Sequence, residues 1–275
     1  FTPAAEIFKN GTLLMSPTME ELENGVLIPG HRFVPLHMHT KDPKEIKLMR
    51  KEGGYCKRKV IAWSIRNAVI FYSLFGYHHY IEYLIREDEH NMEAMKSGSE
   101  SKDVLVRLSA FDMARFYEKH NFQPDDYIQC RLRNYQEALF DFTYFPAEKA
   151  RKLPIRKWIT LMDEGFEKSF GFFETPAEPI TQIAYGYFFA GREAITNPAL
   201  HFGGYLERSS TVAIQHFGNK SFLWKEGADI GDAFFRGEQP IPMTGTTESL
   251  DAILNDVGSA LTLSIIEAYM RDALY

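Results

Sequence analysis

Two histidines stand one residue apart at His37-Met-His39, with a carboxylate at Glu45. On an extended chain alternate residues point to the same side, so the two imidazoles could reach one ion. Glu45 would complete a nitrogen-and-oxygen set suited to a divalent transition metal such as iron, zinc or manganese. Such a centre would support metal-assisted hydrolysis, isomerisation or oxygenation. A plainer arrangement uses the same residues. Period-two alternation over Arg32 to Met38 puts Val34, Leu36 and Met38 on one face and Phe33, Pro35, His37 and His39 on the other. The expectation is an extended segment with its aliphatic side inward and both imidazoles in water.

The run Gly30, His37, His39, Glu45 and Gly53 is similar to the first cupin motif, in which a glycine, two histidines, a glutamate and a second glycine line a metal site in a β-barrel. The resemblance implies a metal held by His37, His39 and Glu45. Each of the three intervals outside the His-x-His pair is about one residue longer than that pattern, and no second cupin motif with its later histidine follows.

Other constellations have cheaper structural readings. Asp125-Asp126 follows Pro124, and adjacent residues diverge, so turn formation is favoured over an acid–base pair. Gly186 to Gly191 has the glycine spacing of a phosphate loop without its lysine or hydroxyl, which points to close helix packing instead. Cys130 alternates with Ile128 and Leu132 and reads as core, whereas Cys56 follows Gly53-Gly54-Tyr55 and reads as a loop thiol. Phe140, Phe142 and Tyr144 share one strand face, as stacking platforms for bases would, but alternation assigns them to the core.

Charge narrows the partners. The chain carries a formal net charge of -6, which repels phosphate backbones and argues against nucleic acid. Lys44 to Lys59, with Lys47, Arg50, Lys51, Lys57 and Arg58, form a basic cluster, but Asp42, Glu45 and Glu52 are interleaved with it, so a solvated loop is expected. No run approaches the roughly 18 apolar residues of a membrane span, so no membrane is expected as a partner. Two cysteines cannot build a disulfide framework, and cytoplasmic residence is the corresponding expectation.

These residues must be positioned by an α+β chain. The first region, residues 1–145, is expected to be a curled antiparallel sheet or small β-barrel with inserted helices. Lys59 to Ile65 and Ala68 to Phe75 read as a hairpin. Val104 to Leu108, a short helix capped near Ser109 and Asp112, and a strand over Ile128 to Leu132 read as a β-α-β unit. Leu139 to Phe145 completes a second hairpin, which Pro146 stops. The second region, residues 150–275, is expected to be mainly helical, with an apolar stripe at Ile155, Trp158, Ile159, Met162, Phe166 and Phe170. A further helix over residues 248–274 has an apolar face that needs a partner surface, hence a homodimer. The functional expectation is a non-enzymatic binding or regulatory module for a small-molecule or protein ligand. A metal-dependent enzyme using His37, His39 and Glu45 is the alternative, and nucleic-acid binding through the basic cluster is a third.

Overall fold

The computed structural model describes residues 4–37, 45–72, 74, 77–98, 104–218 and 220–235. In chain order these form α1 (Ala4–Ile7), β1 (Thr12–Met15), α2 (Met19–Asn24), β2 (Val26–Leu27), a 3-10 turn (Gly30–Phe33), β3 (Lys47–Arg50) and β4 (Arg58–Ser64). Then come α3 (Ile65–Tyr72), α4 (Tyr77–Glu87), α5 (His90–Gly98), β5 (Leu105–Asp112), α6 (Ala114–His120), β6 (Tyr127–Asn134) and β7 (Leu139–Phe145). The described residues finish with α7 (Ala147–Ala150), α8 (Ile155–Phe173), α9 (Pro179–Ala190), α10 (Arg192–Thr196), α11 (Phe202–Leu206), the strands β8 (Val212–Phe217) and β9 (Lys220–Lys225), and α12 (Ile230–Phe234). Residues Phe1–Ala233 form one compact unit and Phe234–Tyr275 a second. The helix expected over residues 248–274, and with it the face assigned to a dimer, lies outside the described residues.

The fold is mixed α+β, strand-rich first and helix-rich later. Its sheets are open, so the barrel alternative gives way to the open-sheet one. One sheet has the order β1-β6-β7-β3 and is antiparallel except at its edge, where β3 runs parallel to β7. A second has the order β2-β5-β4, and β8 pairs with β9 in a separate hairpin. Alternation explains the first sheet: Ile128, Cys130 and Leu132 are buried while Arg131 and Arg133 face outward.

Two segments differ from the extended reading. Arg32 to His37 is not a strand. Its described part is the 3-10 turn and the bends after it, closed by local bonds from Val34 N to His31 O (3.0 Å) and from His37 N to Phe33 O (2.9 Å). Pro35 has no N–H to give a ladder, and Gly30 sits at φ +49 with the backbone of Phe71 against its Cα, a place for no side chain. Both faces of this segment are buried, from Gly30 through His37. Ile65 to Tyr72 is a helix, not the return strand of a hairpin. The spacing of Ala68, Phe71 and Tyr72, all buried, outweighs the strand preference of its β-branched residues.

The later half is not purely helical, because β8 and β9 interrupt it. Gly218, at φ +61, sits at the turn between two alternating runs. Helices α8 and α9 pack closely through Gly165, Gly186 and Ala190. A Cβ on Gly165 would meet the Gly186 carbonyl and, at 2.6 Å, the Ala190 amide nitrogen. This is the close-packing role expected for the glycines of α9. The capping residue of α9 is Glu178, which accepts from Thr181 N, with Pro179 at the first helical position. Among the described residues no helix is long and apolar enough to cross a membrane.

Candidate functional site

Helix α6 follows β5 directly and leads into β6, so it is tied to both larger sheets. Tyr117 donates to Val26 O at 2.8 Å on the β2 side. Phe116 meets Phe142 edge-on at 5.1 Å on the β7 side. Residues four apart share a helix face, so Arg115 and Lys119 rise along one edge of α6 while Phe116 and His120 lie beside them. Opposite stands the end of β3 and its turn: Gly53 N donates to Arg50 O (2.9 Å), and Gly53 and Gly54 adopt φ +95 and +85.

Between them lies a cleft of about 480 Å³. Phe116, His120, Phe142 and Tyr144 supply its aromatic lining, and Arg50, Lys51, Arg115 and Lys119 its cations. A second cleft of about 680 Å³ opens on the outer face of the β6-β7-β3 edge, lined among others by Met49, Gln129, Arg131, Arg133, Asp141 and Thr143. Arg50, Lys51, Gly53 and Thr143 border both.

Six cationic side chains thus meet two carboxylates, in a chain whose net charge is negative. Lys119 pairs with Glu52 at 3.3 Å and Arg133 with Asp141 at 3.4 Å. Among the described residues Arg50, Lys51, Arg115 and Arg131 make no ion pair. Glu52 is held below the ordinary glutamate value, first by its own backbone N–H and then by Lys119. The cleft therefore carries excess positive charge in a concave wall, where fields are focused.

The aromatic lining is uncharged at neutral pH. Burial, reinforced by Lys119, lowers the His120 imidazole below its ordinary value against the opposing pull of Glu52. Burial and the hydrogen bond that Tyr144 donates to Asp126 Oδ2 (3.0 Å) raise the phenol. Both rings offer π-surface and hydrogen bonds instead of charge.

The residues singled out by spacing are distributed differently. His37 is buried, 5% exposed, and not in water as expected. Its neighbour in the turn, His31, is also buried, edge-on to Tyr83 at 4.7 Å. Glu45 is exposed. His39 lies outside the described residues. Among the described residues no group of three His, Cys, Asp or Glu could hold a metal.

Asp126 does structural work, accepting from Gln123 N (2.8 Å), Ala147 N (2.8 Å) and Tyr144, as the turn reading required. Cys56 is buried, with its thiol pushed up to about 11, and Cys130 is fully buried. Phe140 and Phe142 are core, whereas Tyr144 is half-buried at the cleft.

The basic cluster divides. Arg50 and Lys51 line the clefts. Arg58 turns inward, donating to Ser109 O (3.1 Å) and Ile46 O (2.9 Å) with its guanidinium 4.1 Å from the Phe111 ring. Lys59 Nζ donates to Asn24 O. Arg115, Lys119, His120, Arg131 and Arg133 stand in none of the motifs that the sequence offered. The signal for the last two was present: they alternate with Ile128, Cys130 and Leu132, so they must point to the opposite side.

Comparison with known proteins finds no matching family model, no matching curated protein and no matching solved structure.

Proposed function

We propose that this chain is a non-enzymatic binding module whose cleft between α6 and the β3 turn takes a phosphate-bearing ligand. The observation that carries the reading is the gathering of Arg50, Lys51 and Arg115, cations that make no ion pair among the described residues, around an uncharged aromatic wall. Guanidinium and ammonium groups supply the charge-assisted bonds that phosphate oxygens accept, and an aromatic wall suits a planar ring attached to the phosphate. The volume falls within the range of small-ligand pockets, about 300–1,000 Å³. His120 and Tyr144 both favour their neutral forms, so the aromatic wall adds no charge of its own to the cationic one.

Calorimetric titration of the full chain with adenosine triphosphate and with pyrophosphate at low salt tests this. Both should bind, the triphosphate more tightly because it also carries a ring. Arg115→Glu should weaken each about tenfold or more, close to 1.4 kcal/mol. Lys225→Glu, on β9, should change neither. Absence of binding by both anions, or indifference to Arg115→Glu, would refute the reading.

A further inference from the structure

We infer that the phosphate-bearing ligand is single-stranded nucleic acid, threaded from the α6 cleft around the β3 turn onto the outer face of the sheet. This rests on the reading of the cleft given above and extends it from a small anion to a polymer.

The two clefts are adjacent and share a border. Arg50, Lys51, Gly53 and Thr143 line both, so a chain leaving one enters the other past two cations. Cations recur along that path: Arg115 and Lys119 in the first cleft, Arg50 and Lys51 at the shared ridge, Arg131 and Arg133 in the second. Repeating phosphates need recurring positive charge, whereas a lone small anion needs one cluster.

Aromatic rings also recur. Phe116, His120 and Tyr144 border the first cleft. On the far side of the ridge Tyr55, 60% exposed, sits opposite Met49 in an antiparallel bridge, and Met49 lines the second cleft. Cross-strand partners project to the same face, so Tyr55 is on the Met49 side of the β3 turn, next to a groove whose own lining carries no ring. Cationic grooves interleaved with aromatic rings are the physical requirement for unpaired bases, which present π-faces that a duplex keeps stacked inside. The rings therefore favour a single strand over a duplex. The acidic remainder of the chain confines binding to this path, because like charge elsewhere repels the backbone.

Fluorescence anisotropy of labelled oligothymidylates from about two to about twelve nucleotides, titrated with the full chain at low salt, tests the inference. Adenosine triphosphate, a duplex of the longest length and polyglutamate are titrated in parallel. Affinity should rise with length until both clefts are filled. The logarithm of the affinity should fall with the logarithm of salt with a slope of roughly -3 to -4, as expected for about five neutralised phosphates on a single strand. The double variant Arg131→Glu/Arg133→Glu should reduce the gain from the shortest to the longest oligomer by tenfold or more. Arg131→Lys/Arg133→Lys should restore most of it, which a folding defect would not allow.

Equal affinity for the shortest and longest oligomers would overturn the polymer inference, as would a preference for the duplex or equal binding of polyglutamate. If triphosphate still bound, the cleft reading would survive that result. If neither triphosphate nor any oligomer bound, both would fall.

Discussion

The imidazole of His120 lies nearly parallel to the phenol ring of Tyr144, with centroids 4.7 Å apart and planes 16° apart. One ring comes from the last turn of α6 and the other from β7, so the stack fixes the helix against the end of that strand and builds one wall of the cleft. His120→Ala should weaken a base-bearing triphosphate by about 1–3 kcal/mol, the usual worth of a stacking platform. Pyrophosphate, which has no ring, should be affected much less. Calorimetry on both ligands separates the two effects. The same imidazole should titrate by NMR below the ordinary histidine value, because burial and Lys119 both disfavour its charged form.

Deeper in the same unit, Glu21 and Arg32 form a two-pronged ion pair, Nη2 to Oε1 at 2.6 Å and Nη1 to Oε2 at 3.2 Å, with Glu21 fully buried. Glu21 also accepts from Ile28 N (2.7 Å) and Thr18 N (2.8 Å), closing the capping box of α2. The guanidinium rests 4.9 Å from the Phe71 ring. Removing one partner strands a charge indoors, so Glu21→Leu or Arg32→Met should each cost about 3–5 kcal/mol by denaturant unfolding. The double variant Glu21→Leu/Arg32→Met should recover part of that loss, because no uncompensated charge remains.

Contact between α8 and α9 depends on the absence of a side chain at Gly165. Gly165→Ala would drive its Cβ into the backbone of Gly186 and Ala190, which cannot yield as a flexible side chain would. A loss of about 2 kcal/mol or more is expected. Gly171, on the same helix, is exposed and its added Cβ would meet nothing within 4 Å. Gly171→Ala should therefore stabilise by about 0.5–1 kcal/mol through helix propensity alone. Thermal unfolding of the two variants should move in opposite directions.

Acid should weaken the fold through His201. Its Nδ1 caps α11 by accepting from Gly204 N at 3.3 Å, a role that requires the unprotonated nitrogen. Burial, then Arg32 and Arg208, lowers its pKa from 6.5 to about 4. Because the folded value lies below the unfolded one, the stabilisation is complete above pH 6.5 and is lost as pH falls toward 4. Over that window this group alone contributes a slope of at most about 1.4 kcal/mol per pH unit. His201→Asn keeps a capping acceptor without the titration. Chemical denaturation at pH 7 and pH 4.5 should show a smaller drop for the variant than for the natural chain.

Strands were legible where alternation was uninterrupted, as in β6, β7 and the first half of β5, and helix α8 where its apolar stripe was long; Ser109 and Asp112, expected to cap α6, instead continue β5, whose alternation ends at Leu108. Misreadings arose where local propensity and packing disagree. Ile65 to Tyr72 is rich in strand formers, yet its buried residues follow helical spacing. Arg32 to His37 alternates as a strand would, but tertiary burial covers both of its sides. The β8–β9 hairpin was announced by Gly218-Asn219 between two alternating runs, a turn signal that the surrounding helices masked. The cleft was less legible for a physical reason. Its cations come from a strand edge, a helix and a sheet face that are far apart in sequence, so no spacing rule could collect Arg50, Arg115 and Arg131 into one surface.

Amide hydrogen exchange, with and without saturating adenosine triphosphate, tests most directly whether this surface is the binding site. Exchange should slow in α6, from Ala114 to His120, and at the β3 turn around Lys51 to Gly54, while the β8–β9 hairpin keeps its rates. Protection centred on any other element, or unchanged rates at α6 and the β3 turn under a ligand concentration that calorimetry shows to be saturating, would contradict the account.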